Sequence, residues 1–305
     1  MPLDKIEVPL IPECSSCIVN SLGTMIPLLT SDPKKQFELF SLAFRRISQG
    51  YEDRTTPHAL SLELYRELYA KMRTNDPYAE IKRKSIAAAR AVLPSVERIV
   101  EQMSGYEKLR AAIAASITGN LIDYNTAAYQ PNLDELENDF RKIMKAGFAP
   151  DDTALMWESI GRRSGRLVFL ADNAGETMFD TLVVKVFLEH GWDCTFVVKD
   201  KPMINDATLE DIKGTEIMEL AETITTGARA HGVPRKYMSK RFLDAVSKAH
   251  LVISKGQANI ETFPQIQKES GVETYFVTRA KCPHIAESIR APVGSNIVLR
   301  WPRPK

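Results

Sequence analysis

The sequence predicts an α/β protein in two parts, a helical bundle followed by a mostly parallel sheet with helices on both of its faces. Three observations carry that expectation. Apolar residues recur three and four apart from residue 32 to about 163. After Gly165, apolar runs of five or six residues alternate with helical segments. Those runs are apolar on both faces, as strands covered from both sides must be. The expected division is 1–163 for the helical part and 164–305 for the sheet part.

Asp32-Pro33 is a capping residue followed by proline at the first helical position, and it opens the first periodic helix. A second helix starts near Pro57 with Leu60, Leu64, Leu68 and Met72 on one stripe. Asn75-Asp76-Pro77-Tyr78 ends that pattern. Residues 79 to 103 resume it, with Pro94 predicting a kink or a break. The alanine-rich stretch from Glu107 to Thr118 suits close packing against a neighbour. Further helices are expected near 133–145 and 153–163. In the second part the strand candidates are RLVFLA, CTFVVK, either EIMEL or ETITT, HLVISK, TYFVT and NIVLR. Helices such as 176–189 and 239–249 separate them.

The 44% hydrophobic and 26% charged content is that of a globular chain. Net charge is +1, so no global field favours nucleic acid. No apolar run is long enough to cross a bilayer, and the N-terminus lacks a basic region and apolar core. The expectation is a cytoplasmic protein with neither a nucleic-acid nor a membrane partner. Of the four cysteines only Cys14 and Cys17 are close, as CxxC. They read as a surface turn with two thiols, or as half of a metal or redox site.

Parallel sheets bind ligands outside the carboxyl ends of their strands. The first run delivers Asp172 and Asn173 there, with Glu176 one turn on. The second delivers Lys199, then Asn205 and Asp206; the fourth Lys255, Gly256, Gln257 and Asn259; the fifth Lys281. Asp172, Asn173 and Asp206 are hard oxygen donors of the kind magnesium or manganese accepts. Lys255 and Lys281 are point charges suited to phosphate oxygens. A divalent cation beside lysines describes a phosphoryl site. Each member also has a plain reading: Asp172 and Asp206 as caps of the helices that follow, the lysines as solvated charges. The dinucleotide fingerprint, the P-loop, HExxH, GxSxG and Asp-x-Asp are all absent.

The stretches DNAGETMFD, INDAT, TTGARAHGVP, SKGQANIETF and TRAKCP resemble the metal-dependent damage-control phosphatases, also known as domain of unknown function eighty-nine. In the helical part ECSSC, NDPYAEIK and GNLID resemble the marks of its archaeal and bacterial branch. The resemblance implies a helical N-terminal domain on a Rossmann-like three-layer α/β/α domain. It implies hydrolysis of phosphate monoesters of small metabolites, such as sugar phosphates or phosphopantetheine-like compounds, with magnesium, manganese, cobalt or nickel. Its metal ligands fall on Asp172, Asn173 and Asp206, its phosphate-facing lysine on Lys281, and its polar pair on Gln257 and Asn259. Some branches carry Asp where Gln257 stands. Asn120 and Asp123 match an element that closes over the site, with Asp123 a candidate acid or base or an interdomain ion-pair partner. Asp172 and Glu176 are the further catalytic candidates, and Asn205 completes the polar wall. Two rival readings are a carboxyl methyltransferase using S-adenosylmethionine and a non-enzymatic metal or redox protein built on Cys14 and Cys17.

Overall fold

A computed structural model describes residues 5–121, 133–162 and 164–302. Its first helix, α1 (Cys14–Leu29), precedes the expected start of the bundle. Ile18, Leu22, Met25, Ile26 and Leu29 are its buried stripe. Cys14 and Cys17 therefore stand on the first turns of a helix rather than in a surface turn. Pro27 inside the helix, and the prolines just before it, obscure the period in the sequence.

Helix α2 (Pro33–Glu52) begins as expected, with the Asp32 carboxylate accepting from Lys34 N at 2.9 Å. Helix α3 (Pro57–Met72) repeats the device, the Thr56 hydroxyl accepting from Ala59 N at 3.2 Å. Helix α4 (Ala79–Glu101) is one helix across Pro94. Val92, Val96 and Val100 are buried on both sides of the proline, and that packing outweighs the one amide hydrogen bond lost there. Helix α5 (Gly105–Thr118) buries Ala111, Ala112, Ala114 and Ala115 and lies along the helix that follows the first strand. Helices α6 (Leu133–Ala146) and α7 (Thr153–Arg162) complete the N-terminal half.

The strands are β1 (Arg166–Leu170), β2 (Asp193–Val198), β3 (Glu222–Thr225), β4 (Leu251–Lys255), β5 (Glu273–Arg279) and β6 (Asn296–Trp301). They run in the order β3-β2-β1-β4-β5-β6, parallel except for β6, which returns antiparallel to β5. Of the two candidates for the third strand, ETIT is the strand and IMEL a short helix. The connecting helices are α8 (Thr177–Glu189), α9 (Leu209–Ile212), α10 (Ile217–Leu220), α11 (Lys240–Lys248), α12 (Gln257–Ser270) and α13 (Pro283–Ser288).

Side chains alternate strictly across this sheet. Val168, Leu170, Val252 and Phe276 enter one core, together with residues of α1, α2 and α3. Leu167, Phe169, Ile253 and Tyr275 enter the other, together with residues of α4, α5, α6 and α7. The N-terminal helices thus contribute to both covers of the sheet, beside α8 on one face and α11 and α12 on the other. Buried Lys82 of α4 ties one cover to the loops beyond β2, pairing with Asp76 at 2.6 Å and Asp211 at 2.8 Å. Among the described residues, no helix is long and apolar enough to cross a membrane.

One half-buried carboxyl beside the first core carries a pH signature. Burial pushes Glu261 of α12 up to about 7, opposed only by a hydrogen bond from the His58 backbone, and its Oε2 has no hydrogen-bond partner. A carboxyl whose folded pKa is raised contributes stability below its unfolded pKa, and that stability is lost as pH rises through about 7. Glu261→Gln is expected to stabilise the protein by about 2 kcal/mol at pH 8 and by less at pH 5. Urea denaturation at the two pH values measures the difference.

Candidate active site

Strand order reverses between β1 and β4, so their carboxyl ends flank the crevice where an open α/β sheet takes its ligand. Asp172 and Asn173 leave β1 there, and Lys255 and Gly256 leave β4 beside them. Asp172 caps nothing, because α8 begins only at Thr177. Asp206 is no cap either. Thr208 opens α9, and Asp211 Oδ2 accepts from its backbone N at 2.8 Å. Both capping readings fall.

The backbone brings the two loops together. Ala174 N donates to Asn205 O at 3.0 Å and Ala207 N to Asp172 O at 2.8 Å. Asn173 and Asp206 thereby form an antiparallel bridge. Ile204, two residues before Asp206, has φ of +45°, a conformation that β-branched side chains rarely adopt. The Tyr69 hydroxyl of α3 accepts from Ile204 N at 3.1 Å and helps hold that turn. Both neighbouring side chains, Asn205 and Asp206, are buried.

The electrostatics suit a cation. Asp206 is 3% exposed, and its Oδ2 accepts no hydrogen bond, with Lys199 Nζ at 3.6 Å. Lys199 is itself buried and donates to Gly232 O at 2.9 Å. Burial raises the Asp206 carboxyl against the pull of Lys199. At Asp172 burial, then the Glu176 and Asp206 charges, push the carboxyl well above its ordinary range. Mutually opposed carboxyls beside an amide form an oxygen set that a hard divalent cation would relieve. Among the described residues no three His, Cys, Asp or Glu side chains group as a metal site, so a cation held between Asp172 and Asp206 would need the Asn173 amide oxygen as a further donor.

Gly256 shapes the seat of Asp172. Its φ is +83°, and a Cβ built there would land on the Asp172 carboxylate. Gly256→Ala is expected to displace that carboxylate and to destabilise the fold by about 1–3 kcal/mol, as read from denaturant unfolding. A variant as stable as the parent would show that the carboxylate is free to move aside.

Behind this seat lies a buried ion cluster. Lys255 Nζ donates to Glu176 Oε2 at 2.7 Å, to Asp180 Oδ1 at 3.0 Å and to Ser116 O at 3.1 Å. The three charged side chains are 1%, 1% and 0% exposed. Burial alone would lower the ammonium, but Asp180 and Glu176 hold it above the usual lysine range. Burial pushes Asp180 up to about 6 against Lys255. All three Lys255 donors are therefore engaged within the protein. The other Glu176 oxygen, Oε1, accepts from both Asn173 Nδ2 and Asn120 Nδ2 at 2.5 Å. This commits the Asn173 amide nitrogen and leaves its oxygen as the available ligand atom. Asn120 sits in the 3-10 turn Gly119–Leu121, where a Cβ on Gly119 would lie 2.9 Å from Glu176 Cα.

Lys281 is exposed beyond β5, and its Nζ donates to Asn120 O at 3.3 Å. Gln257 Oε1 accepts from Cys282 N at 3.0 Å, and Asn259 Nδ2 donates to Lys255 O at 2.7 Å. The Asn259 Oδ1 is buried without a partner. Asp123 lies outside the described residues. Sequence reasoning missed Asp180, Ser116 and the buried role of Lys199. Asp180 had a signal, since Glu176 and Asp180 stand four apart on one face of a helix that follows a strand.

Residues 10–297 match the family described as the damage-control phosphatase ARMT1-like domain. A damage-control phosphatase of Pyrococcus horikoshii is 30% identical over 289 residues, covering 94% of this chain and 96% of that protein. A damage-control phosphatase of Archaeoglobus fulgidus is 30% identical over 287 residues, covering 94% and 97%. An uncharacterized protein of Methanocaldococcus jannaschii is 30% identical over 295 residues, covering 96% of each. The crystal structure of a DUF89 family protein from Pyrococcus horikoshii superposes with a TM-score of 0.85 at 29% identity, covering 96% of this chain and 99% of that one. Sequence and fold agree over nearly the whole length, and the chain belongs to the damage-control phosphatase ARMT1-like family.

Proposed function

We propose that this protein is a cytoplasmic metal-dependent phosphatase that hydrolyses phosphate monoesters of small metabolites. The observation that carries the reading is the clamped pair of loops that joins Asp172, Asn173 and Asp206, with a buried Asp206 oxygen that accepts no hydrogen bond. These three residues would hold one divalent cation, magnesium, manganese, cobalt or nickel. Bound there, the cation supplies Lewis-acid polarisation of the phosphoryl group.

The chain's own groups do the rest. Glu176 fixes the Asn173 and Asn120 amides through Oε1. Lys281 faces the phosphate from the exposed rim, where its ammonium offsets charge on the equatorial oxygens. Lys255 acts one layer back: with its donors engaged by Glu176, Asp180 and Ser116, it orients Glu176 instead of meeting the phosphate. Asn205, Gln257 and Asn259 form the polar wall, and Asp123 is the proposed acid for the leaving oxygen. Water attacks phosphorus, the ester oxygen leaves with a proton, and alcohol and inorganic phosphate are the products.

A phosphate-release screen of small phosphometabolites, run with each of the four metals and with a chelator, tests the proposal. Release that needs a divalent cation and disappears with chelator is the expected result. Release indifferent to chelator, or none with any phosphomonoester, would overturn it. The methyltransferase and cysteine-sensor readings gain nothing from the family match.

A further inference from the structure

The carboxyl edge of the sheet carries a second cavity, of about 780 Å³, between the end of α3 and the loops after β2 and β3. Four cationic side chains line it: Arg66 and Arg73 from α3 and its C-terminal end, Lys201 after β2, and Arg229 after β3. The one carboxylate in its wall, Asp200, already accepts from Thr225 Oγ1 at 2.9 Å. Among the described residues, none of the four cations is ion-paired. By contrast Arg46, Arg110 and Arg235 each hold a carboxylate within 2.7 Å. A chain of net charge +1 has no surplus that would create such a cluster by composition.

Two of the guanidinium groups are held in place. Arg229 donates to Asn75 O at 2.9 Å and to Asn75 Oδ1 at 2.7 Å, and lies 5.4 Å from the centre of the Tyr69 ring. Arg66 lies 4.5 Å from the centre of the Tyr237 ring. Arg229 spends one N–H of each terminal nitrogen on Asn75, and among the described residues neither guanidinium holds a carboxylate; the remaining N–H groups of these fixed, planar cations suit contacts with phosphate or carboxylate oxygens.

We propose that this cavity is a second anion site, which binds a phosphate-like or polycarboxylate group other than the one hydrolysed at Asp172. Tyr69 connects it to the metal loop, for its ring lies in the cavity wall and its hydroxyl holds Ile204, two residues from Asp206. The occupant is either the far end of a doubly anionic substrate or a separate anionic effector. The binding itself is independent of the phosphatase reading, whereas the kinetic consequences rest on it.

Isothermal titration of the full chain with inorganic tripolyphosphate, in chelator, tests the site. One binding event is expected, retained in Asp206→Ala and weakened at least about tenfold in the double variant Arg66→Ala/Arg229→Ala. Lys201→Ala, at an exposed loop position, serves as a variant that leaves the fold undisturbed, and a weakening of about threefold or more is expected there. No binding by the parent protein, unchanged affinity in both cation variants, or loss in Asp206→Ala would overturn the proposal. Kinetics then separate the sources. For a substrate's far end, the double variant raises KM about tenfold for a sugar bisphosphate and leaves the matching monophosphate unchanged. For an effector, neither KM moves and tripolyphosphate changes kcat in the parent protein only. An equal rise in both KM values counts against a separate site. Absence of any phosphate release would sink the phosphatase reading alone and leave the titration standing.

Discussion

Asp172→Asn is expected to lower kcat/KM for phosphate release by about a thousandfold. The substitution keeps the shape that rests over Gly256 and removes one of the mutually opposed carboxyl charges. The metal-free fold should therefore lose no stability, and its thermal midpoint in chelator should equal or exceed that of the parent. A saturating cation binds only the folded state, so manganese at one hundred times its Kd should stabilise the parent by about 2.7 kcal/mol. The variant should show almost none of that shift. Thermal melts with and without manganese, alongside phosphate release, give both readouts. Wild-type activity in the variant, or an unchanged manganese shift, would remove Asp172 from the metal set.

The largest effect on stability is expected at Lys255. Lys255→Met leaves Glu176 and Asp180 buried without their cation, a change that costs about 3–5 kcal/mol when one partner of a buried ion cluster is removed. The loss should depend on pH. Asp180 already sits at about 6 beside Lys255, and without the ammonium its carboxyl becomes harder to ionise. At pH 5 Asp180 accepts a proton and the penalty shrinks; at pH 8 it is present in full. Urea unfolding of the variant at the two pH values measures this. Equal stability of variant and parent at pH 8 would mean that the cluster does not hold the crevice together. Activity should fall as well, since Glu176 loses the group that orients it.

Five of the strands were legible because their apolar runs are short, buried on both faces and separated by helical segments; at the third, a short edge strand, the run alone did not distinguish ETIT from the helical IMEL. Helix α2 announced itself through Asp32-Pro33, where the cap and the first helical residue are adjacent, and α3 through the leucine stripe that starts near Pro57. Helix α1 did not, because three of its buried residues, Met25, Ile26 and Leu29, surround a proline. The oxygen donors of the candidate site could be named from strand ends alone, since the sheet dictates where those ends lie. The partners of Lys255 could not. Its distance from solvent depends on Ser116 of α5 and Asp180 of α8 meeting behind β4, and no local pattern encodes a contact between α5, α8 and a strand end. For the same reason Lys255, which the sequence offers as a phosphate contact or else a solvated charge, proves to be among the most enclosed of the described side chains, with its ammonium engaged by the protein.

The left-handed turn at Gly256 gives this architecture a simple diagnostic. Any natural or engineered descendant that acquires a methyl group or more at that position has to seat the Asp172 carboxylate elsewhere, whatever its overall similarity. One codon can therefore sort chains that have kept the acidic seat from those that preserve only the scaffold.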